Sequence, residues 1–236
     1  MNVYDHYNET KRMFDVIAEE KKGFYDAEFT GKLRHSRFQL SVRKTVEKMF
    51  EALQTPRNLE VGCGNGDFLL ELARKYPNLY FQGLDFSEEQ IKLARENSRH
   101  SDNIRFQSGN ALQLDLEDNS FDTVVFMNVL HHIPVEDQKI VLGELARVAK
   151  THILLEIKHA ENVYYKYIRT GFGAHNACFH YNDVLSGPGG RTIPVYPTTP
   201  CAVTMILQNY GFTLLEMKPL WGFSFLSPLI VLHFGR

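Results

Sequence analysis

The run Leu59-Glu60-Val61-Gly62-Cys63-Gly64-Asn65-Gly66 constrains this chain more than any other stretch, because a short apolar segment ends there in three alternating glycines. Immediately after it, Phe68, Leu69, Leu72 and Tyr76 fall on one face of a helical period, and Pro77 closes the helix. A strand that turns through glycines into a helix presents backbone at positive φ, to which a ligand can lie close, and offers the free N–H groups of a helix start. The same alternation continues downstream. Strands are expected at Asn58 to Val61, Leu79 to Leu84, Ile104 to Gln107, Phe121 to Met127 and His152 to Ile157. Helices between them start at Asp67, at Ser87 (capped by Ser87, with Gln90 as its capping-box partner) and at Pro134, the last with an inner stripe of Val141, Leu145 and Val148. Phe121 to Met127 is apolar enough to be buried on both faces. Strand–helix alternation of this kind implies right-handed crossovers and a mostly parallel sheet.

Outside this region the pattern is less regular. Before Thr55-Pro56 the chain is charged and helix-prone, with Phe14 and Ile17 on one stripe and Val42, Val46, Met49 and Leu53 on another, so two to four short helices are expected over the core. After His159 the rhythm breaks until Pro197, in a stretch crowded with aromatic residues and poor in charges. A helix over Thr198 to Tyr210 and strands at Phe212 to Met217 and Pro228 to Phe234 follow. The expected organisation is a helical lid over residues 1–54 and one α/β domain over 55–236, with a substrate-binding insertion at about 159–197.

With 236 residues, 44% of them hydrophobic and 23% charged, the chain is long enough for one substantial α/β domain. Its formal net charge of −2 gives no global basic excess for gripping a phosphate backbone, so no nucleic-acid partner is expected. Met1 to Thr10 lacks the apolar run of a secretory signal, and Trp221 to Phe234, broken by Pro228, is too short to span a bilayer as a helix. Cys63, Cys178 and Cys201 are odd in number and widely spaced, which suits reduced thiols and a cytoplasmic setting. His175, Cys178 and His180 do not form a recognised zinc spacing, and no metal is expected.

Asp85 stands at the end of the second expected strand, about twenty residues past the glycine loop, where an acid can accept from ribose hydroxyls. Together with Glu60 to Gly66, the segments Gly83-Leu84-Asp85-Phe86-Ser87, Gly109-Asn110-Ala111 and Met127-Asn128-Val129-Leu130-His131-His132-Ile133 resemble the class I S-adenosylmethionine-dependent methyltransferases. The resemblance is greatest to the small-molecule group that includes the ubiquinone/menaquinone C-methylase-like enzymes, and it covers Arg57 to Lys158.

The resemblance implies a Rossmann-like, seven-stranded, mostly parallel sheet with helices on both faces and the last strand antiparallel. It implies S-adenosylmethionine as the cofactor, with Gly62, Cys63, Gly64 and Gly66 in the loop against its methionine and ribose parts and Glu60 ordering that loop. Asp85 would hold the ribose hydroxyls, with Phe86 against the adenine, Asn110 and Ala111 at the adenine edge, and Asn128 and Val129 at the methyl end. Many relatives carry aspartate where this chain has Asn110, whose amide oxygen still accepts but lacks the charge.

Transfer from a methyl sulfonium mainly needs a nucleophile held close and aligned, which can supply about 7–11 kcal/mol at best. A base adds about 10²–10⁴ in rate for an acceptor that must lose a proton, and His131 or His132 is the candidate. Tyr7 and Tyr25 of the lid, with Tyr164, Tyr165 and Phe179 of the aromatic segment, are the candidate substrate contacts, favouring an apolar or ring-bearing small molecule. A monomer or homodimer is expected. Two rivals are a nicotinamide-dependent dehydrogenase, whose third glycine falls one residue later than here, and a non-catalytic module that binds the cofactor.

Overall fold

The computed structural model describes residues 3–20, 34–161, 196–220, 222–224 and 227–236. Among the described residues two helices come first, α1 (Val3–Glu20) and α2 (Arg34–Leu53). The alternating region follows as β1 (Arg57–Val61), α3 (Asp67–Lys75), β2 (Tyr80–Asp85), α4 (Glu88–Asn97) and β3 (Ile104–Ser108). Then come β4 (Phe121–Phe126), a single 3₁₀ turn at Leu130–His132, α5 (Val135–Val148) and β5 (Ala149–Lys158). The chain finishes with α6 (Pro200–Gln208), β6 (Thr213–Pro219) and β7 (Leu229–Gly235).

The seven strands lie in the order β3-β2-β1-β4-β5-β7-β6. Pairings among β1 to β5 are parallel, and β7 runs antiparallel to both β5 and β6, as the resemblance implied. α2 to α6 cover the sheet because each carries an apolar stripe along one face. On one side, Val141, Leu142 and Leu145 of α5 and Val203 and Leu207 of α6 bury the outward rows of β4, β5 and β7. On the other, Val42, Val46 and Phe50 of α2, Leu69 and Leu72 of α3 and Ile91 of α4 do the same. Val124 and Phe126 face the first layer, and Val125 and Met127 face the second, so β4 is buried on both sides.

The N-terminal segment departs from the short helices expected. α1 has 18 residues and α2 has 20, and the two do different things. α2 is one of the helices covering the sheet, whereas α1 lies across the carboxyl ends of the strands and packs on α4. α1 is pinned by polar contacts: the Ser87 hydroxyl donates to Asp15 Oδ1 at 2.5 Å, and Tyr7 Oη donates to Asp137 Oδ2 at 2.7 Å.

Strand ends shifted by one to three residues relative to the sequence expectation. The largest change is in β5, which starts at Ala149 because Ala149 pairs with Phe121 ahead of a register shift. Residues 162–195, which include most of the expected substrate insertion, lie outside the described residues. Among the described residues no helix is long and apolar enough to cross a membrane, and Cys63 and Cys201 are free thiols.

Leu145 is fully buried between α5 and the sheet. Leu145→Ala should therefore lower unfolding stability by about 2–5 kcal/mol in urea titration, without a change of fold by circular dichroism.

Candidate functional site

Strand order reverses between β1 and β4: β2 and β3 extend to one side of β1, while β5 and its neighbours extend beyond β4. The segments leaving β1 and β4 therefore part in opposite directions and leave a crevice at the carboxyl end of the sheet, where ligands bind in open α/β sheets. The glycine loop leaves β1 there and the Asn128–Val129 turn leaves β4. Eight of the residues expected at a cofactor line this crevice: Gly62, Gly64, Asp85, Phe86, Asn110, Ala111, Asn128 and Val129. Glu60, Cys63 and Gly66 do not line it; they support the loop from below.

The loop's shape needs its glycines for two different reasons. Gly62, Gly64 and Gly66 all have φ between +54° and +78°. A Cβ on Gly62 would lie 2.1 Å from Val129 Cγ2, and one on Gly66 would lie 2.5 Å from Phe106 Cζ. Gly64 differs, since its nearest neighbour would be Gln90 Oε1 at 3.9 Å, and the space beside it is open to the crevice. Gly62 and Gly66 thus permit packing of the protein on itself, and Gly64 leaves a cradle that a side chain would fill. The loop is fixed to β2 by Gly62 N and Cys63 N, which both donate to Leu84 O at 2.6 and 3.0 Å.

Asp85 links the parts of the site. Gly64 N donates to its Oδ2 at 2.8 Å and Ser87 N donates to its Oδ1 at 2.9 Å. Burial pushes its carboxyl up to about 6, against the opposing pull of these backbone N–H groups. Each oxygen still has an acceptor direction beyond the backbone bond it makes. Ser87 caps α4 as expected, accepting from Gln90 N at 3.2 Å. The reciprocal capping-box bond is not made: Gln90 Nε2 donates instead to Phe14 O of α1 at 3.3 Å, and Asp85 takes the Ser87 N–H. Asn110 Oδ1 accepts from Leu112 N at 2.9 Å, which sets the turn at that wall of the crevice.

Glu60 lies beneath the loop, fully buried, and burial raises its carboxyl to about 8, with Arg43 opposing the rise. Among the described residues its Oε2 has no hydrogen-bond partner. At the other end of the crevice His132 is a wall residue, with its ring edge-on to Phe14 and its carbonyl accepting from His6 Nε2 at 3.0 Å. His131 does not line the crevice; its Nδ1 is 3.7 Å from Glu156 Oε2. Tyr7 is a wall residue too, and burial followed by its bond to Asp137 raises its hydroxyl, so it stays a neutral donor. Tyr25, Tyr164, Tyr165 and Phe179 lie outside the described residues, as do His175, Cys178 and His180.

Sequence reasoning did not place Thr10, Phe14 and Gln90 in the crevice, although all three line it. Phe14 carried an apolar-stripe signal and Gln90 a capping signal, but only the position of α1 turns both toward the crevice. Thr10 carried no signal.

Two expectations follow from this geometry. Gly64→Ala should lower unfolding stability by about 1–2 kcal/mol, the cost of the left-handed conformation, whereas Gly66→Ala should lower it further through its clash with Phe106, as read from urea midpoints. Glu60 keeps its proton up to about pH 8 when folded but ionises near 4.5 when unfolded. Its contribution to stability is therefore present in full below the unfolded value and lost as pH rises through about 8. Glu60→Gln should accordingly gain stability relative to wild type across pH 4.5 to 8, with a plateau above; a pH-independent difference would contradict this.

Residues 59–152 match a family model described as a methyltransferase domain. Among curated proteins, the demethylmenaquinone methyltransferase of Staphylococcus carnosus is 32% identical over 143 residues, which cover 56% of this chain and 58% of that protein. The demethylmenaquinone methyltransferase of Listeria welshimeri is 33% identical over 152 residues, covering 58% and 64%. The chain thus spans less than two thirds of the length of these relatives. Among solved structures, magnesium protoporphyrin IX methyltransferase from Synechocystis PCC 6803 with bound SAH superposes with a TM-score of 0.66 at 19% identity, covering 86% of this chain and 88% of the other. A SAM-dependent methyltransferase from Methanosarcina mazei gives 0.60 at 24% identity, covering 76% and 91%. These last two likenesses are of fold. Sheet order, crevice and matched segment agree: residues 59–152 resemble a methyltransferase domain, and the fold is the Rossmann-like one of the solved methyltransferases.

Proposed function

We propose that this chain transfers the methyl group of S-adenosylmethionine to a small, apolar or ring-bearing acceptor. The observation that carries the proposal is the convergence on one crevice of the open cradle at Gly64, the carboxylate of Asp85 and the Asn128–Val129 turn. The cofactor, when bound, supplies an electrophilic methyl on a sulfonium. The residues present fit it. Asp85 would accept from both ribose hydroxyls in its free acceptor directions, with Phe86 beside the adenine and Asn110 and Ala111 at the adenine edge. Gly62, Cys63, Gly64 and Gly66 would carry the loop against the methionine portion, with Glu60 beneath it. Asn128 and Val129 would bound the methyl end.

The acceptor would enter beside His132 and Tyr7. An acceptor hydroxyl or acidic carbon that takes the methyl would give up its proton to a base on the crevice wall. His132, as a wall residue, is the nearer base; His131 lies behind it. α1 excludes water, since Tyr7, Thr10 and Phe14 close the crevice from above. Tyr25, Tyr164, Tyr165 and Phe179 are proposed as further acceptor contacts. The names of the curated relatives make demethylated quinols the first acceptors to test. We assign the activity to the cytoplasm, to residues 55–236 with a lid from the N-terminal segment and an insertion at about 159–197, and to a monomer or homodimer acting without nucleic acid.

Calorimetry with S-adenosylhomocysteine tests the reading directly. Wild type should bind it and ignore NAD, and Asp85→Ala should weaken binding by at least tenfold; unchanged affinity would remove the ribose role. In turnover with a reduced demethylmenaquinone, His132→Ala should lose about 10²-fold or more in kcat with little change in cofactor affinity. Equal activity of wild type, His131→Ala and His132→Ala would remove the histidine base.

A further inference from the structure

The turn that carries Asn128 and Val129 is held by a side chain with no assigned part in the site. β4 and β5 pair in register up to Phe126 with Leu155, and there β4 stops while β5 runs on to Lys158. Beyond that point the chain leaving β4 has no ladder partner on β5, yet its buried backbone N–H groups must still be satisfied. Asn128 N donates instead to Glu156 Oε2 at 3.0 Å. Asn128 adopts φ +58°, a left-handed conformation that L-residues seldom adopt. A hydrogen bond to a buried carboxylate is strong enough to hold it there. Val129 then sits against Gly62, so closely that a Cβ there would overlap it, and the turn fixes the methyl end of the crevice against the cofactor loop.

The same oxygen of Glu156 is 3.7 Å from His131 Nδ1, and both side chains are buried. Lys158, two residues along and on the same face of the strand, opposes the effect of burial on the Glu156 carboxyl and favours its charge. We propose that Glu156 is a positioning residue: one carboxylate oxygen holds the left-handed turn at Asn128 and orients the ring of His131, so that Val129 and His132 meet the crevice from a fixed backbone. The proposal rests on the preceding reading only in taking this crevice as the cofactor and acceptor site.

The test combines S-adenosylhomocysteine calorimetry with ¹⁵N spectra of the histidine imidazoles on Glu156→Gln, Glu156→Ala and Asn128→Gly. Glutamine keeps an acceptor oxygen for Asn128 but not the charge, so Glu156→Gln should hold affinity within about threefold while shifting the His131 nitrogens. Glu156→Ala should weaken binding about tenfold or more. Glycine adopts the left-handed conformation without a tether, so in the Asn128→Gly background the same substitution should cost less than threefold, which a double-mutant cycle reads as coupling. Wild-type affinity and unmoved His131 signals in Glu156→Ala would overturn the proposal, as would an equal loss in both backgrounds. If wild type binds no S-adenosylhomocysteine, the cofactor reading fails. The His131 signals then decide on Glu156 alone, a shift in Glu156→Gln supporting the tether and no shift overturning it.

Discussion

A parallel sheet that changes direction in its middle must open at the change, and here the change falls between β1 and β4. Parallel pairing of these two strands brings their carboxyl ends side by side, with Glu60 opposite Val125. The segments that follow cannot pair with one another, because one folds back over β2 and the other over β5. What fills the gap is backbone in unusual conformations: three left-handed glycines after β1 and a left-handed asparagine after β4. Their packing on each other, Gly62 on Val129, joins the two halves of the sheet at the crevice. The site is thus a consequence of topology before it is a matter of particular side chains.

Buried carboxylates organise what the backbone leaves open. Asp85 and Glu156 play parallel parts on the two sides of the reversal: each takes a backbone N–H from a left-handed residue, Gly64 in one case and Asn128 in the other. Both acids are pushed up by burial, Asp85 to about 6, with Lys158 opposing the rise at Glu156. A cofactor that carries a sulfonium and an ammonium group favours ionised acids around it. Glu60, buried beneath the loop with Arg43 nearby, extends the same acidic surroundings.

Much of this was legible in the sequence between Arg57 and Lys158, where local signals are strong: apolar runs of strand length, helix stripes, Ser87 before its helix and glycines at a strand end. The mostly parallel sheet followed from the strand–helix alternation, and the antiparallel last strand from the resemblance. Other features depend on contacts far apart in the chain and left no local trace. Nothing near Gln90 indicates that its amide will reach Phe14 O rather than close a capping box, and nothing near Thr10 says that it will face a ligand crevice. Glu156 looked like one more residue of an apolar strand; its role emerges only from where β4 stops beside it. His131 and His132 are neighbours in sequence, yet one is a wall of the crevice and the other faces Glu156.

The claim on which the account stands is that the crevice between the β1 and β4 segments holds S-adenosylmethionine. A crystal structure of the full chain with S-adenosylhomocysteine tests it most directly. The ribose hydroxyls are expected on the Asp85 carboxylate, the adenine beside Phe86 and Asn110, and the sulfur at the Asn128–Val129 turn near Gly64. Ligand bound elsewhere on the protein, or a crevice left empty at saturating ligand, would contradict it.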